Sequence, residues 1–168
     1  MRKINKKLKK CVENIGGQVG EIIERVGNTY YSKNNKKVYF KIIPTPFDIA
    51  ESYGISIEYI KMSGDILAYF RRKSLTIYIS DRYIDDKYKS QQLVAHELGH
   101  FILDTSFLSA MNDDELNERL TEETMKEYYA NVFAIFLMPQ IMGNEEWKNW
   151  SPNILNRRVY RKIFIEDE

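Results

Sequence analysis

The feature that most constrains this chain is a ten-residue stretch, residues 91–100, which reads QQLVAHELGH. It contains His96 and His100 with Glu97 directly after the first histidine. On an α-helix, residues four apart project from the same face about one turn apart. This is the spacing at which two imidazoles can bind one zinc ion, and the adjacent glutamate can then act as general base toward a water molecule. The chain has only these two histidines, so the sequence predicts a helix that presents a metal site.

Composition excludes several other classes of protein. The 168 residues are predicted to form one domain (1–168), long enough to bury a core. The net charge of +1 provides no overall field that would attract nucleic acid or a membrane. The single cysteine excludes an internal disulfide and fits a reducing compartment, and no apolar run approaches the ~20 residues of a membrane span. We therefore expect a cytoplasmic protein that neither enters a membrane nor binds nucleic acid directly.

The first 33 residues are predicted to form an N-terminal helical segment. Apolar residues recur every three or four positions from Ile4 to Tyr30, which is a helical period. Gly16 and Gly17 interrupt this pattern, so two helices and one broken helix both fit. Five lysines lie within the first ten residues. They indicate a solvated helix face rather than a nucleic-acid site, because no aromatic residue interleaves with them.

A short helix and three strands are predicted next. Pro46 suits a first helical turn and Gly54 suits a helix C-cap. Residues 55–60 alternate like a strand, and residues 66–71 and 75–80 flank a short polar connection typical of a hairpin. Together they predict a small antiparallel sheet of about three strands. The last of these strands is the candidate edge for an extended substrate peptide.

Two longer helices follow, which makes the predicted fold class α+β. The motif helix is expected over residues 91–103 with Ser90 as its N-cap. Gly99 lies inside it at a cost of ~1 kcal/mol relative to alanine. The sequence leaves open whether this glycine serves a close packing contact or makes room for metal and substrate. A second helix is expected over residues 122–137, with Thr121 as its cap.

Two histidines do not complete a catalytic zinc site, which needs a third protein ligand and an open position for water. No histidine remains and no cysteine is near, so the third ligand must be Asp or Glu. Spacing alone does not distinguish Glu122, Glu123 and Glu127 on the second helix. Asp104 is nearer, four residues after His100, but three successive ligands on one straight helix would spread over ~12 Å. We therefore assign Asp104 to the edge of the site, as a hydrogen-bond partner.

The motif helix and a second segment together resemble a known family. Residues 127–139 read EYYANVFAIFLMP, and an E-x-x-A-N-x-F-A helix ending in L-M-P after an H-E-L-G-H helix is similar to the ImmA/IrrE zinc metallopeptidases. The resemblance spans roughly residues 38–140, which it implies to be the catalytic core, followed by a C-terminal tail at 141–168. It implies a compact gluzincin-like fold, bound Zn²⁺, and Glu127 as the third ligand beside the two histidines.

The resemblance also implies a function. It indicates a zinc endopeptidase that cleaves a regulatory protein, a helix-turn-helix repressor of a mobile element or stress response, and so acts as an anti-repressor. One alternative is a metal-binding regulatory protein that binds a repressor without cleaving it; the intact Glu97 argues against this. A second alternative is a nucleic-acid-binding module at the lysine-rich N-terminus, against which the near-neutral charge weighs. No oxyanion-stabilising residue is assigned, because no histidine remains and the twelve tyrosines are not distinguishable.

Overall fold

The computed structural model describes residues 2–34, 36–103 and 122–138. These residues form an α+β fold, as predicted. The elements in chain order are α1 (Arg2–Gly27), β1 (Asn28–Lys33), β2 (Lys36–Lys41), α2 (Pro46–Ser52), β3 (Ser56–Ile60), β4 (Ala68–Arg71), β5 (Thr76–Ser80), α3 (Lys87–Ile102) and α4 (Glu122–Leu137). The predicted Thr121 cap, Asp104 and the C-terminal tail lie outside the described residues, and the single-domain division stays a prediction.

Helix α1 runs without interruption through both glycines. Gly16 packs against α4, where an added Cβ would lie 2.8 Å from Cζ of Phe136. The helix ends at Gly27, six residues before the end of the helical segment that the sequence predicted. The chain instead turns into an antiparallel hairpin of β1 and β2, which the sequence did not predict. The Ile42 N–H closes the base of this hairpin by donating to the Gly27 carbonyl at 2.9 Å.

The central sheet has the strand order β3–β5–β4. The β4–β5 pair is antiparallel and joined by a short turn over Arg72–Ser74, as the hairpin prediction required. The β3–β5 pair is parallel, so the sheet is mixed rather than wholly antiparallel. The reason is that β5, with four of its five residues buried, takes the centre. The chain leaving β3 therefore passes to the far side of β5 before the hairpin brings it back.

This topology corrects the predicted substrate edge. Strand β5 is paired on both sides, so residues 75–80 do not offer a free edge. The two edge strands are β3 and β4, and β4 is the one that packs with α3 at the motif. Within the described part of the chain, no strand pairs with the outer edge of β4.

The hydrophobic core lies between the sheet and the helices. Helix α3 packs against α4 on one side and against α2, β4 and β5 on others, and α1 covers α4. Residues in its centre are fully buried: Ile77, Ile79, Val94, Leu98 and Phe133. Helix α3 is therefore covered on several sides, and His96, Glu97 and His100 stay partly exposed.

Helix α3 begins earlier than predicted. Its N-cap is Asp86, whose Oδ1 accepts a hydrogen bond of 3.0 Å from the Lys89 N–H. The prediction of Ser90 as N-cap is wrong, because Ser90 is buried inside the helix and its hydroxyl donates to the Tyr83 carbonyl at 2.9 Å. Residues 87–89, directly before Ser90, form the first turn of the helix. Helix α4 has the predicted bounds.

Candidate metal centre

Helix α3 brings its two histidines together on one face. The Nε2 atoms of His96 and His100 are 3.0 Å apart, and their rings meet edge to face with centroids 4.6 Å apart. The four-residue spacing alone produces this neighbourhood on a helix. Both imidazoles therefore direct the same nitrogen at one point.

Helix α4 adds a carboxylate at that point. Glu127 lies with Oε2 at 3.1 Å from Nε2 of His96 and Oε1 at 2.9 Å from Nε2 of His100. The structure thus places all three predicted ligand residues together, and their ligand atoms lie within 4.8 Å of one another. The side chains of Glu122 and Glu123, the other candidates on this helix, are outside the described side chains.

The close approach of α3 and α4 explains Gly99. A Cβ on Gly99 would lie 2.9 Å from the Cα and 2.9 Å from the carbonyl oxygen of Ala130, and 3.2 Å from Cβ of Phe133. Two small residues therefore let the two helix backbones touch. Gly99 precedes His100 directly, and Ala130 lies one turn after Glu127. Between the two explanations left open by the sequence, the structure supports the packing contact, and this contact sets the distance from the histidines to the carboxylate.

The donor set fits a divalent zinc-type ion. Two imidazole nitrogens and one carboxylate oxygen are a common ligand set of catalytic zinc, and ligand atoms at 2.0–2.1 Å around a tetrahedral ion lie ~3.3 Å apart. The observed separations of 2.9–3.1 Å differ from this by a few tenths of an ångström. The Glu127 side chain is 50% exposed, whereas that of His96 is 16% exposed. One side of the group is therefore open, as a site that receives water and substrate requires.

Hydrogen bonds set the charges of the ligand residues. Hydrogen bonds from His100 and His96 to the Glu127 carboxylate hold the pKa of Glu127 well below its usual range. Burial lowers the pKa of His96, but the hydrogen bond to Glu127 and the negative charges of Glu97 and Glu127 outweigh burial, so its pKa is raised overall. Metal binding must displace the proton that this environment favours on His96.

Glu97 does not belong to the group of ligand residues, which consists of the two histidines and Glu127 among the described residues. Burial raises the pKa of Glu97, which the positive charges of His96 and His100 oppose. The backbone N–H of Phe70 in β4 faces this carboxylate and also lowers its pKa. A partly buried carboxylate with a raised pKa beside a metal site is suited to accept and return a proton.

The structure adds two residues that sequence reasoning missed. Asn131 is 3% exposed and lies within hydrogen-bonding reach of His96. It follows Glu127 by four residues on α4, a spacing that could have marked it as a neighbour of the third ligand. Phe70 acts through its backbone N–H, which no residue pattern in the sequence could reveal.

The sequence of the chain matches one known protein family. The model of a family named Peptidase_M78, described as IrrE N-terminal-like domain, matches residues 50–150. This chain belongs to the Peptidase_M78 family. This match confirms the family that the sequence resembled. Peptidase_M78 is a metallopeptidase family, so the match indicates a metallopeptidase-type function for the chain. No curated protein and no solved structure shows significant similarity to the chain.

Among the helices in the described ranges, none is both long enough and apolar enough to cross a membrane.

Proposed function

We propose that this Peptidase_M78 chain is a zinc-dependent endopeptidase of the cytoplasm that cleaves a regulatory protein, namely a helix-turn-helix repressor of a mobile element or a stress response. The observation that carries the proposal is the convergence of His96, His100 and Glu127 next to Glu97. Three protein ligands with an open side are typical of catalytic rather than structural zinc. The family match supports the reaction class, and the anti-repressor role follows from the resemblance seen in the sequence.

The chain's own residues account for the proton transfers. When bound, zinc supplies a Lewis acid that lowers the pKa of water toward ~7 and polarises a carbonyl. Glu97 accepts the proton of the attacking water and delivers it to the amine that leaves when the C–N bond breaks. The backbone N–H of Phe70 on the neighbouring strand β4 faces the Glu97 carboxylate and favours its charged form, which is the form that accepts a proton.

Strand β4 offers the substrate a backbone partner. The Ser80 N–H donates to the Leu67 carbonyl at 2.8 Å, which sets the antiparallel register of β4 on β5. In such a ladder alternate residues face away from the partner strand. Ala68 and Phe70 therefore direct their backbone groups to the outer edge, and Phe70 meets Glu97 there. A peptide that pairs with this edge passes directly beside the proposed base.

The test is the variant Glu97→Gln, which keeps the shape of the side chain and removes the base. Wild type is incubated with zinc and with a helix-turn-helix repressor encoded beside its gene, and cleavage is followed by mass spectrometry. We expect cleavage by wild type and a loss of at least ~100-fold in the variant. Glu58→Gln, at an exposed glutamate on the opposite edge strand, is the matched control and should cleave normally.

The outcomes separate the proposed function from the alternatives. Undiminished cleavage by Glu97→Gln would refute the assignment of the base. A stable complex of wild type with the repressor, without cleavage of any protein or peptide, would instead support the regulatory binding protein. Salt-sensitive DNA binding that disappears when residues 1–10 are deleted would support the nucleic-acid-binding module.

A further inference from the structure

We infer that the peptidase selects substrates with acidic residues on the N-terminal side of the cleaved bond, and that Arg71, Arg72 and Lys73 bind them. The inference rests on the proposed function, because it concerns the peptide that pairs with the edge of β4. It adds a substrate class that neither the metal site nor the family match supplies.

The first observation is a run of three cations at one end of the edge strand. Arg71 ends β4, and Arg72 and Lys73 form the turn that follows. All three side chains are exposed. None of them forms an ion pair with any other residue in the described ranges, so their charges are available to an external partner.

The second observation is the distance from these cations to the proposed base. Phe70, whose backbone N–H faces Glu97 and whose ring lies 5.3 Å from that of Phe101 in α3, directly precedes Arg71. Strand residues advance by ~3.3 Å each, so Arg71 lies about one residue step from the position beside Glu97, and Arg72 and Lys73 follow it in the turn. A peptide paired with β4 places the residues next to its cleaved bond within direct reach of them. Exposed charges at such distances are screened only partly at physiological ionic strength.

The third observation is that the opposite end of β4 has a different charge. Asp65 is exposed there. The cation of that region, Arg82, is tied into the structure: its Nε donates to Ser80 Oγ at 2.8 Å, and its Nη2 donates to the carbonyls of Gly64 and Ile66 at 3.1 and 3.3 Å. The Arg82 side chain is therefore held in place by these hydrogen bonds, whereas no hydrogen bond holds the side chains of the three cations at the turn end within the described residues.

The polarity of the edge decides which side of the substrate meets the cations. Strand β4 runs from Ala68 toward the turn. A peptide that pairs antiparallel to it, the slightly more stable arrangement, runs from the turn toward Ala68. Its residues before the cleaved bond then lie beside Arg71, Arg72 and Lys73, and those after it lie toward Asp65.

The turn that carries Arg72 and Lys73 has a defined conformation. Leu75 has φ +46 and ψ +50, a left-handed conformation that is uncommon for leucine. Its N–H closes the turn by donating to the Arg72 carbonyl at 3.3 Å. The turn therefore has a defined geometry, with Arg72 and Lys73 at its exposed positions.

The experiment uses the whole zinc-loaded chain and a random-sequence peptide library with blocked N-termini, and mass spectrometry identifies the cleaved bonds. An exposed ion pair is worth about 1.4- to 5-fold in binding. We therefore expect Asp and Glu to be enriched about 2- to 5-fold at positions within three residues before the cut. This enrichment should decline as salt is raised. In kinetics on single peptides it should appear in KM rather than kcat, because the charges lie away from the reacting bond.

Two variants and one control test the assignment to these residues. Arg72→Glu with Lys73→Glu should reverse the preference toward Lys and Arg, and Arg72→Gln with Lys73→Gln should weaken it. Lys61→Glu reverses one exposed charge just after β3, on the opposite edge of the same sheet, and should keep the preference for acidic residues. Circular dichroism confirms that each variant is folded.

The failures are distinguishable. Cleavage of the library with no charge preference in wild type, or with a preference that the double charge reversal leaves unchanged, would overturn this inference and leave the proposed function intact. Absence of cleavage of every library peptide and of the repressor would overturn the proposed function, and the inference with it.

Discussion

Replacing Gly99 with alanine tests how the two helices that carry the candidate ligand residues are held together. The new Cβ would lie 2.9 Å from two backbone atoms of Ala130, about 0.5 Å inside the 3.4 Å limit of ordinary contact. Neither atom can move away alone, because both belong to the α4 backbone. The two helices must therefore separate by several tenths of an ångström, and Glu127, one turn before Ala130, moves with α4.

The size of this shift predicts the effect on metal binding. Metal–ligand distances tolerate changes of ~0.2 Å, so a shift of about 0.5 Å should weaken zinc binding at least ~10-fold. Overpacking destabilises the fold by about 1–3 kcal/mol, and alanine in place of glycine stabilises a helix by ~1 kcal/mol. For a chain of this size the net loss of 0–2 kcal/mol lowers Tm by up to about 8 °C.

Chelator competition measures zinc affinity, and calorimetry of the metal-free protein measures Tm. Gly20→Ala is the matched control, since an added Cβ at Gly20 on α1 meets nothing within 4 Å. This control should keep the zinc affinity and gain up to ~1 kcal/mol of stability. Wild-type zinc affinity in Gly99→Ala would show that the contact with Ala130 does not position the site.

Three further predictions concern the surroundings of the metal centre. Asn131→Leu should lower zinc affinity about 10- to 100-fold, because His96 is less well oriented without this hydrogen-bonding partner. Unchanged affinity in the chelator assay would exclude this role of Asn131. Zinc affinity should fall as pH decreases, because protons compete with zinc for His96. Since the pKa of His96 is raised, the fall should begin above pH ~6.5, the ordinary pKa of histidine. Constant affinity between pH 8 and 6 would contradict this competition. Gln92→Met should stabilise the protein by about 1–3 kcal/mol, as measured by urea denaturation. The reason is that Gln92 is fully buried and neither of its amide atoms has a hydrogen-bond partner in the described part of the chain. A loss of stability would show that the amide has a partner in the folded protein.

Local signals in the sequence predicted several elements correctly. The bounds of α4, the start of α2 at Pro46 and the turn at Arg72–Ser74 depend on residues close together in the chain. The strand order of the sheet does not depend on residues close together in the chain, because the parallel pairing of β3 with β5 is decided by which strand is buried most fully. The β1–β2 hairpin was missed for a different reason: the apolar period of α1 continues by chance as far as Tyr30.

In the candidate site, too, local spacing predicted some features, and others depend on distant parts of the chain. Helical spacing placed His96, Glu97 and His100 on one helix, because four residues make about one turn. Spacing could not select Glu127, which lies 27 positions beyond His100 on another helix. The family resemblance selected it, and the structure places its carboxylate beside both histidines. The contact partner of Gly99 depends on how two helices cross. That contact was outside the reach of sequence reasoning.

The most direct test of the central claim is the zinc content of three proteins after loading and dialysis, measured by inductively coupled plasma mass spectrometry. The claim is that His96, His100 and Glu127 hold the ion, whereas Glu97 stands beside it as base. Wild type and Glu97→Gln should each retain about one zinc per chain, and Glu127→Gln should retain much less, because one of three protein ligands is lost. Equal zinc retention in all three proteins, or none in wild type, would contradict the account.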